Sequence, residues 1–121
     1  MPRILQNHYV LAVHNVRASA RFYVDVLGFE ISSEPPGWIF VKKDNCMIML
    51  GECIGEVPAA DLGNHSYFAY LMVDDADAYL AHVTAQGVTP HHPIGSKPWG
   101  MREFGIKTPD GHRIMIGHKL P

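Results

Sequence analysis

The chain has 121 residues, 47% of them hydrophobic and 18% charged, with a formal net charge of −2. That is the size of one domain able to bury a sizeable core, and the balance of apolar and charged residues excludes disorder. The small negative charge gives no electrostatic attraction to nucleic acid or to an anionic membrane surface, so neither is expected as a partner.

No apolar run approaches the length of a membrane span, and the amino-terminal residues lack the character of a signal peptide, so a cytoplasmic protein is expected. Cys46 and Cys53 form no CxxC pattern and imply no disulfide framework. Cys46 precedes the apolar run Met47 to Leu50 and reads as a small buried or edge residue.

The first predicted element is an extended run from His8 to Val13. A helix pattern follows, with Phe22, Tyr23, Val26 and Leu27 on one face and Gly28 as its stop. Strand material comes next, at Glu30 to Ser33, Trp38 to Lys42 and Met47 to Leu50, separated by turns at Pro35-Pro36-Gly37 and Lys43-Asp44-Asn45. The Pro- and Gly-rich stretch from Val57 to Asn64 reads as a linker.

The order then repeats, displaced by about 60 residues. Tyr67 to Val73 is strand-like, and Asp74 or Asp75 can cap a helix whose face is Ala76, Tyr79, Leu80 and Val83, closed by Gly87. A short strand near Val88, then Arg102 to Lys107 and Arg113 to Gly117, complete the set, with a strong turn at Pro109-Asp110-Gly111. The segment from Thr89 to Gly100 reads as a long loop, either a lid or a rigid proline-rich rim. The reading is α+β: one domain over residues 1–121, built of two βαβββ modules at about 4–57 and 64–119.

Phe22-Tyr-Val-Asp-Val-Leu-Gly-Phe-Glu30, the Pro109-Asp110-Gly111 hairpin and the doubled module resemble the vicinal oxygen chelate superfamily, the glyoxalase and bleomycin-resistance group. The resemblance spans the whole chain and implies that the two modules form a curved mixed sheet with a concave cleft and the helices on the outer face, commonly dimeric at this length. In its metal-using members, one ligand comes from each of strands one, four, five and eight. The matching positions here are His8, Met49, Phe68 and Met115. A thioether or a phenyl ring cannot replace a carboxylate or imidazole on a hard divalent ion, and His8 alone cannot hold one tightly. No metal and no cofactor is therefore expected.

The matching positions instead suggest a cleft lined by methionine and aromatic side chains. Five methionines (47, 49, 72, 101 and 115) fall on its inferred faces, where they read either as core or as an adaptable apolar lining. Trp38, after Gly37, and Trp99, between Pro98 and Gly100, resemble Gly-Trp and Trp-Gly pairs of bleomycin-resistance proteins, which sequester a flat drug. Aromatic faces suit stacking and cation attraction worth roughly 0.5–2 kcal/mol per contact. Each indole reads equally as a filler at a strand end or subunit interface. The chain's mild acidity does not favour a strongly cationic ligand.

The eight histidines show no metal-ligand spacing and read as solvated or supporting groups. If Phe104 and Ile106 face the core, Met101 and Glu103 face the cleft, where Glu103 could meet His8. Such a pair could be a weak metal site, a general acid–base pair, or a hydrogen bond satisfying both groups. The expected ligand-binding residues are His8, Trp38, Met49, Phe68, Tyr70, Trp99, Met101, Glu103 and Met115, and no catalytic residue is assigned. The functional expectation is metal-independent binding and sequestration of a planar, antibiotic-like molecule by a homodimer. The rival is a glyoxalase- or dioxygenase-type metalloenzyme working around His8 and Glu103, and a third reading is a cleft filled by its own side chains.

Overall fold

The computed structural model describes Met1 and residues 3–121; Pro2 lies outside the described residues. The chain divides into two compact units, Met1–Glu56 and Val57–Pro121, and each holds one βαβββ module. In the first, the elements are β1 (Tyr9–Val13), α1 (Val16–Asp25), β2 (Glu30–Ser33), β3 (Trp38–Lys43) and β4 (Cys46–Glu52). In the second they are β5 (Tyr67–Met72), α2 (Ala76–Ala85), β6 (His92–Ser96), β7 (Met101–Lys107) and β8 (Arg113–Lys119). The α+β class and the doubled module are as the sequence pattern led one to expect. The strands ladder within each module as its own four-stranded mixed sheet, in the orders β1-β4-β3-β2 and β5-β8-β7-β6.

Local chemistry explains the helix boundaries. Asn15 accepts a hydrogen bond from the Ala18 amide at 3.0 Å, and Asp75 accepts one from Ala78 at 3.0 Å, each satisfying a donor that the first helical turn leaves free. Of the two candidate caps for α2, Asp75 is the one used. Just beyond the helices, Gly28 and Gly87 take φ of +80° and +90°, a conformation that side chains with a Cβ resist. The Val57–Asn64 linker contains one short 3-10 turn, Ala59–Leu62.

One strand lies away from its expected place. Residues around Val88 are not a strand; β6 begins at His92, inside the segment read as a loop. The reason is positional. β6 is an edge strand bonded on one side only to β7, so Pro93 can be tolerated there, and its register slips between His92 and Gly95. Such a strand lacks the alternation by which strands are recognised.

Each sheet buries one face under its helix. Ile39, Val41, Ile48 and Leu50 of the first sheet are buried on the side of α1, with Tyr23 and Leu27 from the helix end. Phe104, Ile106, Ile114 and Ile116 do the same under α2, with Val83. Two polar links mark that side of the second sheet: Arg102 Nε donates to Asp77 Oδ2 at 2.7 Å, and His118 Nδ1 accepts from the Ala76 amide at 2.8 Å. Strand alternation then sends Met101, Glu103, Lys107, Arg113 and Met115 to the opposite, open face.

The repeat is visible in the ladders. Met49 of β4 pairs with Val10 and Phe40, and Met115 of β8 pairs with Tyr70 and Gly105. Two residues on, Gly51 pairs with Ala12 and Trp38, and Gly117 pairs with Met72 and Glu103. Met49 and Met115, and likewise Gly51 and Gly117, are thus equivalent positions in the two modules.

Candidate functional site

The open face of the second sheet carries the most specific arrangement in the chain. Glu103, only 6% exposed, accepts through Oε1 from the Trp99 indole Nε1 at 2.7 Å and from the Tyr70 hydroxyl at 3.1 Å. Burying a carboxylate is costly unless donors meet it, and here two do. Gly117 makes the arrangement sterically feasible. A Cβ there would run into Tyr70 Oη and stand 3.0 Å from Glu103 Cβ, so the phenol crosses the sheet over a notch that only glycine leaves open. Loss of solvation first, then the hydrogen bond to Glu103 and its charge, push the Tyr70 hydroxyl up to about 12. It therefore remains a donor at any physiological pH.

Trp99 is held at its nitrogen yet remains 66% exposed. Its ring forms one wall of a cavity of about 400 Å³, with Tyr67, His92, Lys97, Glu103 and Met115 among the other walls. Of the residues expected to bind ligand, Trp99, Glu103 and Met115 meet in this cavity, and Tyr70 supports it through Glu103. Met101 is half-buried on the same strand as Glu103, outside the cavity wall. Tyr67, His92 and Lys97 were not anticipated.

A bulge accounts for the exchange of Phe68 for Tyr67. The β5–β8 register shifts between Tyr67 and Ala69, which breaks the alternation that would have put Phe68 beside Tyr70. Phe68 instead stacks edge-on against His112, ring centroids 5.7 Å apart, while Tyr67 takes the cavity side. The Tyr67 hydroxyl lies 2.8 Å from His92 Nε2 and 3.3 Å from His91 Nε2. Both imidazoles rest on Gly105, where a Cβ would meet His91 Cε1 and Met115 Sδ at 2.9 Å. The histidine pair expected to be loop-borne and solvated therefore belongs to this face.

In the first module, Trp38 lies across Gly51, where a Cβ would sit 2.8 Å from the indole, and it packs edge-on against Phe40 at 6.2 Å. Met49 is half-buried beside Phe40 on the same face. His8 is exposed, hydrogen-bonded to Gln6 Oε1 at 3.3 Å, at the rim of a separate depression of about 420 Å³ with Lys42, Cys46 and Met47. Burial pushes the Cys46 thiol up, which favours the unreactive protonated form. Among the described residues, no three His, Cys, Asp or Glu side chains gather as a metal site would require.

The chain's relatives agree with this fold. The sequence profile of the Glyoxalase/Bleomycin resistance protein/Dioxygenase superfamily matches residues 5–116. The solved structure of TnmS3, an antibiotic binding protein from Streptomyces sp. CB03234, is 25% identical with a TM-score of 0.74, over 97% of this chain and 99% of that one. A glyoxalase/bleomycin resistance protein/dioxygenase from Nocardioides is 22% identical with a TM-score of 0.76, over 99% and 86%. A lactoylglutathione lyase from Agrobacterium tumefaciens is 24% identical with a TM-score of 0.74, over 97% and 94%. No curated protein matches the sequence at a significant level.

Proposed function

Because this chain belongs to the glyoxalase/bleomycin resistance protein/dioxygenase superfamily, we propose that it binds and sequesters a planar or aromatic, antibiotic-like small molecule without a metal. It does so as a cytoplasmic homodimer. One observation carries the reading: Trp99, 66% exposed, is fixed by its indole N–H to the buried Glu103 at the wall of a cavity of about 400 Å³. An exposed ring held in one orientation loses little freedom when a flat ligand stacks on it, and that lowers the cost of binding. The likeness to TnmS3, an antibiotic binding protein, points the same way.

The donor set disfavours the enzymatic alternative. By the sequence resemblance Met49, Phe68 and Met115 match metal-ligand positions, the bulge in β5 brings Tyr67 rather than Phe68 to the cavity, and Glu103 spends its Oε1 on Trp99 and Tyr70. The remaining members of the cavity wall offer contact and orientation, and the Tyr67 hydroxyl is already engaged with His92.

The test is tryptophan emission of chelator-treated protein titrated with a panel of planar aromatic compounds. Saturable, stoichiometric quenching that is lost in Trp99→Ala is the expected outcome. Emission unchanged by the whole panel overturns the reading. So does one bound equivalent of zinc, nickel or iron(II) that is lost in His8→Ala, which would mark the protein as a metalloenzyme.

A further inference from the structure

The charges around the cavity go further than the aromatic walls and say what kind of flat molecule fits. On the open face of the second sheet, Lys107 and Arg113 are directly paired across β7 and β8. Like charges placed opposite each other in a sheet repel, and such a pair is ordinarily relieved by an acidic neighbour. Neither cation forms an ion pair among the described residues. Arg113 donates to the neutral Asn64 Oδ1 at 3.1 Å and to the Gly63 carbonyl at 3.2 Å, while its guanidinium lies 5.3 Å from the centre of the Tyr67 ring.

Tyr67 pairs with Arg113 in the ladder and reaches His91 and His92 with its hydroxyl. The two imidazole rings lie 4.2 Å apart. His91 is held below its ordinary value by desolvation first, then by the charges of His92, Arg113 and Lys107. Every charge acting on it is positive. Lys97, also without an ion pair among the described residues, adds its ammonium to the wall. The one carboxylate of the cavity, Glu103, already takes two hydrogen bonds from Trp99 and Tyr70. Along β7 it lies four residues from Lys107, roughly 13 Å at strand spacing. The cavity's carboxylate is thus already served, while His92 and Lys97 of its wall, and His91, Arg113 and Lys107 beyond it, form no ion pair among the described residues.

We propose that the ligand is an aromatic acid: its ring stacks on Trp99, and its carboxylate, sulfonate or phosphate is held by Tyr67, His92 and Lys97 of the cavity wall, with His91 and Arg113 behind them. Lys107 adds longer-range attraction. An oxyanion accepts from these donors in charge-assisted bonds and relieves the Lys107–Arg113 repulsion. The inference rests on the cavity reading above, and the experiment separates the two.

Calorimetric titration would compare three compounds with the same ring system: 2-naphthoate, 2-naphthamide and 2-naphthylmethylammonium. The acid is expected to bind about tenfold or more tightly than the amide, and the ammonium weakest. The acid's advantage should shrink with added salt, and in Lys107→Gln and His92→Gln it should narrow at least severalfold. Lys107 is exposed, so its replacement tests the charge without touching the core. Amide or ammonium binding as tightly as the acid overturns the anion inference and leaves the cavity reading standing. If none of the three binds and tryptophan emission stays constant, the cavity reading fails and the inference with it.

Discussion

Glu103 accepts from Trp99 and from Tyr70 through the same oxygen, so the position of an exposed indole and the acidity of a phenol depend on one side chain. Glu103→Gln keeps an acceptor but removes the charge. Tyr70 should then ionise below its present value of about 12, moving part of the way back towards 10.0; the ultraviolet absorbance of phenolate against pH measures this. An unshifted titration would mean that desolvation alone sets the value. His112 gives a second residue-scale prediction. Burial holds its ring below the ordinary value of 6.5, against a weaker opposite pull from Asp110. The unfolded chain therefore takes up this proton first. Stability is full above pH 6.5 and falls as the pH drops through the depressed value. Thermal unfolding between about pH 8 and about pH 5 should show the decline, and His112→Gln should flatten it; an equal slope in the variant would assign the decline to other groups.

At the scale of elements, the legible features were those governed by a few adjacent residues. Asp75 as a cap, the glycine stops after both helices and the Pro109-Asp110-Gly111 turn each follow from short-range chemistry, and all three are present; in the turn, the Gly111 amide donates to the Thr108 carbonyl at 2.9 Å. Asp75→Ala should accordingly cost about 1 kcal/mol in urea unfolding, with Asp75→Asn nearly neutral. Illegible features were those decided by a neighbouring strand. The bulge that exchanges Phe68 for Tyr67 and the slipped edge strand that brings His91 and His92 over Gly105 have no local signature. Glu103 and Met115 were foreseeable because regular alternation holds in β7 and β8, and Trp99 from its Trp-Gly pair; Tyr67 and His92 were not, because alternation fails in β5 and β6. The Gly117 notch supplies a test at this scale. Gly117→Ala should displace the Tyr70 ring, cost about 1–3 kcal/mol of stability and lower the Tyr70 titration, since a methyl group has no room beneath the phenol. Unchanged stability together with an unchanged titration would mean that the sheet yields there.

For the whole molecule, two modules repeat one ladder while carrying different side chains. No helix among the described residues is long and apolar enough to cross a membrane. Exposed apolar side chains occur on both sheets, with Val10 61% and Met72 66% exposed at strand positions on their open faces. Surfaces of this kind commonly mark contact with a partner, and here the proposed partner is a second copy. Sedimentation equilibrium should give twice the chain mass of 13.5 kDa, and Val10→Asp with Met72→Asp should return it to the single value. A monomeric wild type would remove the dimer from the proposal and leave the Trp99 cavity intact, because every wall of that cavity comes from the second module.

The glycine notch has a further meaning once its two copies are set side by side. At Gly117 the notch admits a phenol that crosses to Glu103; at Gly51, its counterpart, the indole of Trp38 lies in the opening. One mould has received two different inserts, and the indole behaves as a plug. Trimming Trp38 to alanine would unstop it, giving the first module a vacant socket framed by Phe40 and Met49. A protein engineer seeking a second receptor surface in this chain need carve nothing new: withdrawing the stopper is enough.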